Sequence, residues 1–167
     1  PKALFLLCFV SMWECYSFYG MRALLVLFLT QELHLGDANA IALFALYTTL
    51  VELGGVMGGA ISDIVLTLKR SMILGSLALT LGHILLFASD FFYLGLGLIV
   101  VGTSLFRSNC AAYLGEFYEA NDPRREAGFT LYYAGINLGG LIATLLCGFT
   151  AEVYGWHAGF GLAAIGM

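Results

Sequence analysis

Polar residues along this chain fall in short clusters separated by long apolar stretches. A membrane-crossing helix needs about 20 mostly apolar residues, and five stretches qualify: 3–29, 38–62, 71–88, 91–114 and 127–150. A sixth, 157–167, starts near His157 and is incomplete at Met167. The breaks between them are short and hold turn or capping residues: Gly36-Asp37, Lys69-Arg70, Ser89-Asp90, Asn121-Asp122-Pro123 and Tyr154-Gly155. Asp37, Ser89 and Asp122 are expected to start the helices that follow them. The pattern predicts an all-α, polytopic transmembrane bundle. Its basic residues alternate between ends: Lys2 precedes the first stretch, Lys69 and Arg70 follow the second, Arg124 and Arg125 follow the fourth. The loops around His34, Asp90 and Tyr154 carry no Lys or Arg. Cytoplasmic loops carry an excess of basic residues, so the N-terminus is expected to be cytoplasmic.

Composition agrees with a membrane protein. The chain is 60% hydrophobic and 11% charged, with mean hydropathy +0.91, whereas soluble domains carry about 25% charged residues. No basic run suggests nucleic acid. Cys8, Cys15, Cys110 and Cys147 are far apart in apolar surroundings, and no metal-ligand spacing or nucleophile–base pattern occurs, so no metal, cofactor or catalytic residue is expected. The first apolar run is too long for a signal core of about 7–15 residues. The chain starts at Pro1 and stops inside an apolar run, which reads as a fragment of a longer protein. Gly54/Gly58 and Gly55/Gly59 have the small-x-x-x-small spacing that lets helix backbones approach closely.

Charged groups at membrane depth are costly and mark pathways for substrates or ions. Glu14 lies near the middle of the first stretch and Glu52 near the middle of the second. A carboxyl that gains and loses a proton there can carry it across. Arg107, deep in the fourth stretch, stays protonated and needs water, an anion or an acid beside it. Arg22 lies toward the outer end of the first stretch, where snorkelling to the interface competes with ligand binding. Two cations facing a cavity suit a carboxylate or phosphate. Asn109 and Asn137 add amides. Tyr16, Tyr19, Tyr132 and Tyr133 could line a wet cavity or pack, and His83 reads as a core histidine.

Several segments resemble the proton-dependent oligopeptide transporter family of the major facilitator superfamily. Met12-Trp13-Glu14-Cys15-Tyr16-Ser17-Phe18-Tyr19-Gly20-Met21-Arg22 is similar to its first helix, and Leu105-Phe106-Arg107-Ser108-Asn109 to its fourth-helix Leu-Phe-Lys-Pro-Asn. Asp122-Pro123-Arg124-Arg125-Glu126 resembles its loop before helix five. Tyr132-Tyr133-Ala134-Gly135-Ile136-Asn137-Leu138-Gly139 resembles its Phe-Tyr-x-x-Ile-Asn-x-Gly. Gly59-Ala60-Ile61-Ser62-Asp63 with Lys69-Arg70 resembles the superfamily motif between helices two and three.

The resemblance implies the N-terminal six-helix half of a twelve-helix fold, with helix six truncated. It implies inward proton-coupled uptake of di- and tripeptides or related carboxylate-bearing solutes. The implied location is a bacterial inner membrane, with the lipid bilayer and a C-terminal six-helix half as partners. It carries proton coupling to Glu14, the peptide carboxylate to Arg22 and Arg107, pocket positions to Tyr19 and Asn137, and gating to Asp63, Lys69 and Arg70. The chain departs from the pattern where Ser11 replaces a Glu, Cys15 an Arg, Ser108 a Pro and Glu52 a pocket Tyr. Ile64 and Thr67 replace the gating motif's usual arginine and glycine. With Cys15 in place of arginine, Glu14 is expected to lack a neighbouring cation, and proton-driven uptake to be weak. The alternatives are an uncoupled or differently coupled facilitator and a non-transporting membrane remnant.

Overall fold

The computed structural model describes residues 2–87, 91–119 and 121–165. The Ser89 start signal, the Asp90 loop, the end of the third stretch at Ala88 and the end of the sixth at Met167 lie outside the described residues. Those described form six helices and no strand: α1 (Lys2–Gln31), α2 (Asp37–Ile64), α3 (Leu68–Phe87), α4 (Phe92–Gly115), α5 (Arg124–Tyr154) and α6 (Trp156–Ile165). In lipid every backbone polar group must be bonded within the protein, which favours unbroken helices. The chain's two prolines, Pro1 and Pro123, leave every helix interior intact. By length and composition, α1, α2, α4 and α5 can cross a membrane.

Helix starts and stops follow local chemistry. Asp37 is the first residue of α2, where an acid complements the helix dipole, while Gly36 is the N-cap without a side-chain bond. Before α5, Asp122 Oδ1 accepts the Arg124 backbone N–H at 2.8 Å. Its other oxygen pairs with the Arg124 guanidinium at 2.9 Å. Hydrogen bonds from that side chain hold the Asp122 carboxyl below its ordinary pKa. Gly155, at φ 90°, ends α5 in a conformation that side chains rarely adopt.

Small residues set the packing. α3 lies on α4 along a seam of four glycines in which Gly75 faces Gly102 and Gly82 faces Gly95. A Cβ at Gly102 would stand 2.7 Å from the Leu79 nitrogen and 2.8 Å from the Gly75 carbonyl oxygen. On the other side of α4, Gly54 and Gly58 of α2 receive Ser104. The Gly55/Gly59 pair divides: Gly55 approaches Ser108, while Gly59 has open space around it. α1 packs on α5, where Gly139 abuts the Met12 carbonyl, and α6 fills the gap between α5 and α1. The core includes Met21, Leu25, Phe28, Ile99, Leu114 and Phe160. Large apolar side chains such as Val56, Ile64, Leu145 and Phe149 cover the outside.

One polar knot joins three helices. Asn109 of α4 donates to Ser62 Oγ of α2 at 2.6 Å, and Ser62 Oγ lies 2.7 Å from Ser71 Oγ of α3. All three side chains are buried. Ser62 donates to its own helix at Gly58 O, leaving two lone pairs for Asn109 and Ser71.

Candidate functional site

Glu14 of α1 and Arg107 of α4, 93 residues apart in sequence, meet between their helices. Arg107 Nη2 lies 3.0 Å from Glu14 Oε1 and 3.3 Å from Oε2. Glu14 is 2% exposed and the Arg107 side chain 31%. Phe18 stands one turn beyond Glu14 on the same face of α1, and the guanidinium carbon sits 4.2 Å from its ring centroid. The Cys15 thiol donates to Glu14 Oε2 at 3.5 Å. The expectation that Glu14 lacks a cation therefore fails. Cys15 supplies only a weak donor, and the charge arrives from α4 instead.

The pair opens on a cleft of about 430 Å³ between α1, α4 and α5. Four of the expected site residues, Glu14, Tyr19, Arg107 and Asn137, line it. Tyr19 packs its ring against Gly140, and the Asn137 amide donates to Tyr133 O at 2.7 Å within α5. The remaining expected residues lie elsewhere. Arg22 is half-buried with its guanidinium 5.4 Å from the Phe44 ring. Glu52 is exposed on α2 and makes no ion pair among the described residues. Asp63, Lys69 and Arg70 are exposed around the α2–α3 turn, where Thr67 Oγ1 accepts the Arg70 N–H at 3.4 Å.

Tyr132 lines the cleft, while Tyr16 is buried with its hydroxyl 3.8 Å from the Cys147 thiol. Asn109 belongs to the polar knot, and His83 is buried with Nε2 unbonded. Among the described residues, no three His, Cys, Asp or Glu side chains gather to hold a metal.

Sequence reasoning missed Phe18, Cys110, Thr144 and Tyr47. Phe18 follows Glu14 by four residues and Cys110 follows Arg107 by three, so helical spacing alone would have placed both beside the charges. Tyr47 of α2 is buried with its ring stacked near Phe18 at 6.4 Å.

The sequence model of the POT family matches residues 69–167. The Bacillus subtilis (strain 168) protein called Uncharacterized transporter YclF is 39% identical over 175 residues, covering 100% of this chain and 36% of the relative. Dipeptide and tripeptide permease A of Chromobacterium violaceum is 37% identical over 171 residues, covering 100% of this chain and 34% of the relative. The crystal structure of peptide transporter POT in complex with sulfate superposes with TM-score 0.95 at 39% identity, over 99% of this chain and 35% of that one. The chain thus spans about a third of the length of these relatives, and its six helices have the fold of the N-terminal part of a major facilitator transporter. The chain belongs to the POT family, one of peptide transporters and not of enzymes, and is a multi-pass membrane protein.

Proposed function

We propose that this chain is part of a secondary active transporter of di- and tripeptides or related carboxylate-bearing solutes, driven by protons. The observation that carries the reading is the Glu14–Arg107 ion pair on the wall of the cleft. A ligand carboxylate is an alternative acceptor for the same guanidinium. If it takes Arg107, Glu14 loses its counter-charge, and a buried carboxylate without one is balanced by a proton. Ligand and proton are then taken up together. Arg22 adds a second cation for the ligand, Tyr19 and Asn137 form the pocket wall with Asn137 toward the peptide's amino end, and Glu52 is a second acid for proton coupling. Asp63, Lys69 and Arg70 act in gating at the α2–α3 turn.

The working unit is this bundle with a second six-helix half in a lipid bilayer, with substrate bound between the halves. The helices are membrane-embedded over about 3–29, 38–62, 71–88, 91–114, 127–150 and from 157. The location is the bacterial inner membrane with the N-terminus cytoplasmic, supported by the basic residues Lys69 and Arg70 at the start of α3 and Arg124 and Arg125 at the start of α5.

Uptake of a radiolabelled dipeptide by the full-length protein in proteoliposomes, with and without an inward proton gradient, tests the reading. Gradient-dependent accumulation is expected. Equal uptake under both conditions would support a second reading, an uncoupled or differently coupled facilitator. That reading is favoured by Ser11 and Cys15, which leave Glu14 as the one carboxyl of its motif, with no arginine beside it in sequence. No uptake under either condition would sink both.

A further inference from the structure

Glu52 is an exposed carboxyl near the middle of α2 with no ion pair among the described residues, although a charge turned to lipid at that depth is costly. Which way it faces follows from the packing of α2 on α4. Leu50, Gly54 and Ile61 of α2 share an apolar groove with Val101 and Leu105 of α4, and that groove marks one flank of the contact. With 3.6 residues per turn, Glu52 lies about 60° round α2 from Gly55, and those three lie about 100–140° round in the opposite sense. On α4, Arg107 lies about 60° from Ser104, and Val101 and Leu105 lie about 60–100° in the opposite sense. Glu52 and Arg107 therefore share the other flank. Ser108, next to Arg107, donates to Gly55 O at 2.8 Å. Glu52, three residues before Gly55, thus stands about one to two turns from Arg107 along the helices. α5, which carries Asn137, does not touch α2 among the described residues, so Glu52 and Asn137 approach Arg107 from different sides.

We infer that Glu52 is a specificity residue for a cationic side chain, lysine or arginine, on the carboxyl-terminal residue of a peptide. The inference rests on the reading that Arg107 holds the ligand carboxylate, with the amino end toward Asn137. The carboxyl-terminal side chain is then free to turn to α2, and the flexible stem of a lysine spans the gap to Glu52. Its ammonium takes the place of the proton that Glu52 otherwise carries, and a charge-assisted hydrogen bond holds it. An acidic side chain at the same point meets a like charge and is rejected.

The experiment is competition by Ala-Lys, Ala-norleucine, Ala-Glu and Ala-Lys amide against radiolabelled dialanine binding to the purified full-length protein. Norleucine has the lysine stem without the charge, so the first two separate charge from fit. Ala-Lys should bind about tenfold better than Ala-norleucine, as one charge-assisted hydrogen bond allows. Glu52→Gln should bring the two within about twofold, Glu52→Asp should keep part of the preference, and Glu52→Lys should favour Ala-Glu over Ala-Lys. Equal binding of Ala-Lys and Ala-norleucine by the unaltered protein, with the free acid still preferred over the amide, overturns the role of Glu52 and leaves the Arg107 reading standing. A lysine preference undiminished in Glu52→Gln overturns it as well. Equal binding of free acid and amide, or no competition by any of the four, overturns the Arg107 reading and the inference with it.

Discussion

Arg107 is held by its edge and its face at once: Glu14 takes Nη2 and Phe18 lies under the guanidinium plane. A lysine, with a compact ammonium, cannot satisfy both contacts in the same way. Breaking such a pair on one side strands a charge, at a cost of about 3–5 kcal/mol for fully buried pairs. Arg107 keeps 31% exposure, so Glu14→Leu should cost toward the lower end, and Glu14→Leu with Arg107→Met should regain much of it. Thermal unfolding of the three proteins in detergent reads this, and a double variant less stable than Glu14→Leu would contradict it. Arg107→Ala should weaken binding of a free-acid dipeptide by one to two decades more than its C-terminal amide, because a charge-assisted hydrogen bond contributes about 1.5–3 kcal/mol. Equal losses in equilibrium binding would assign Arg107 to structure. The sequence marked both residues through the cost of charge at depth. It did not reveal their contact, because hydropathy does not fix how a helix is rotated against a distant one.

At the scale of helices, the α3–α4 seam is held by backbone approach. Gly102→Val should destabilise the bundle by about 1–3 kcal/mol, since besides the Leu79 side chain it meets the Leu79 nitrogen and the Gly75 carbonyl oxygen, backbone atoms that cannot swing aside. Gly97→Val, in open space, should change stability by less than about 0.5 kcal/mol. Comparable melting shifts for both would refute the seam. The loop before α5 answers to pH. Arg124 holds the Asp122 carboxyl below its ordinary value, so the Asp122–Arg124 contacts stabilise the folded state above the unfolded carboxylate range near 4. That contribution fades as pH falls through the depressed value. Amide exchange in the first turn of α5 should therefore be faster in Asp122→Ala than in the unaltered protein at pH 7, and the difference should vanish in strong acid. The Gly54/Gly58 spacing was readable in advance, because four residues return to the same helix face. The α3–α4 glycines recur at seven and pair across two helices, so neither helix alone announces them.

For the whole molecule, the alternation of basic loops predicts which end faces the cytoplasm. Single cysteines at Arg124 and Lys69 should react with an impermeant maleimide only from the inside, and one at His34 only from the outside. The native thiols are buried and should react slowly. Labelling of Arg124→Cys from outside would reverse the topology. The number and order of helices could be read from apolar length because lipid imposes that length. The gathering of α1, α4 and α5 around one cleft could not, since it depends on packing across the whole chain. The knot of Ser62, Ser71 and Asn109 bears on biogenesis. While the nascent chain is still being made, the α2–α3 hairpin can close its Ser62–Ser71 bond before α4 exists. Asn109 has no such interim arrangement beyond one bond to its own helix at Leu105 O. Its second amide hydrogen finds an acceptor only when α4 settles on the waiting hairpin, so α4 leaves the insertion machinery with a polar tag that only a correctly placed neighbour can quench.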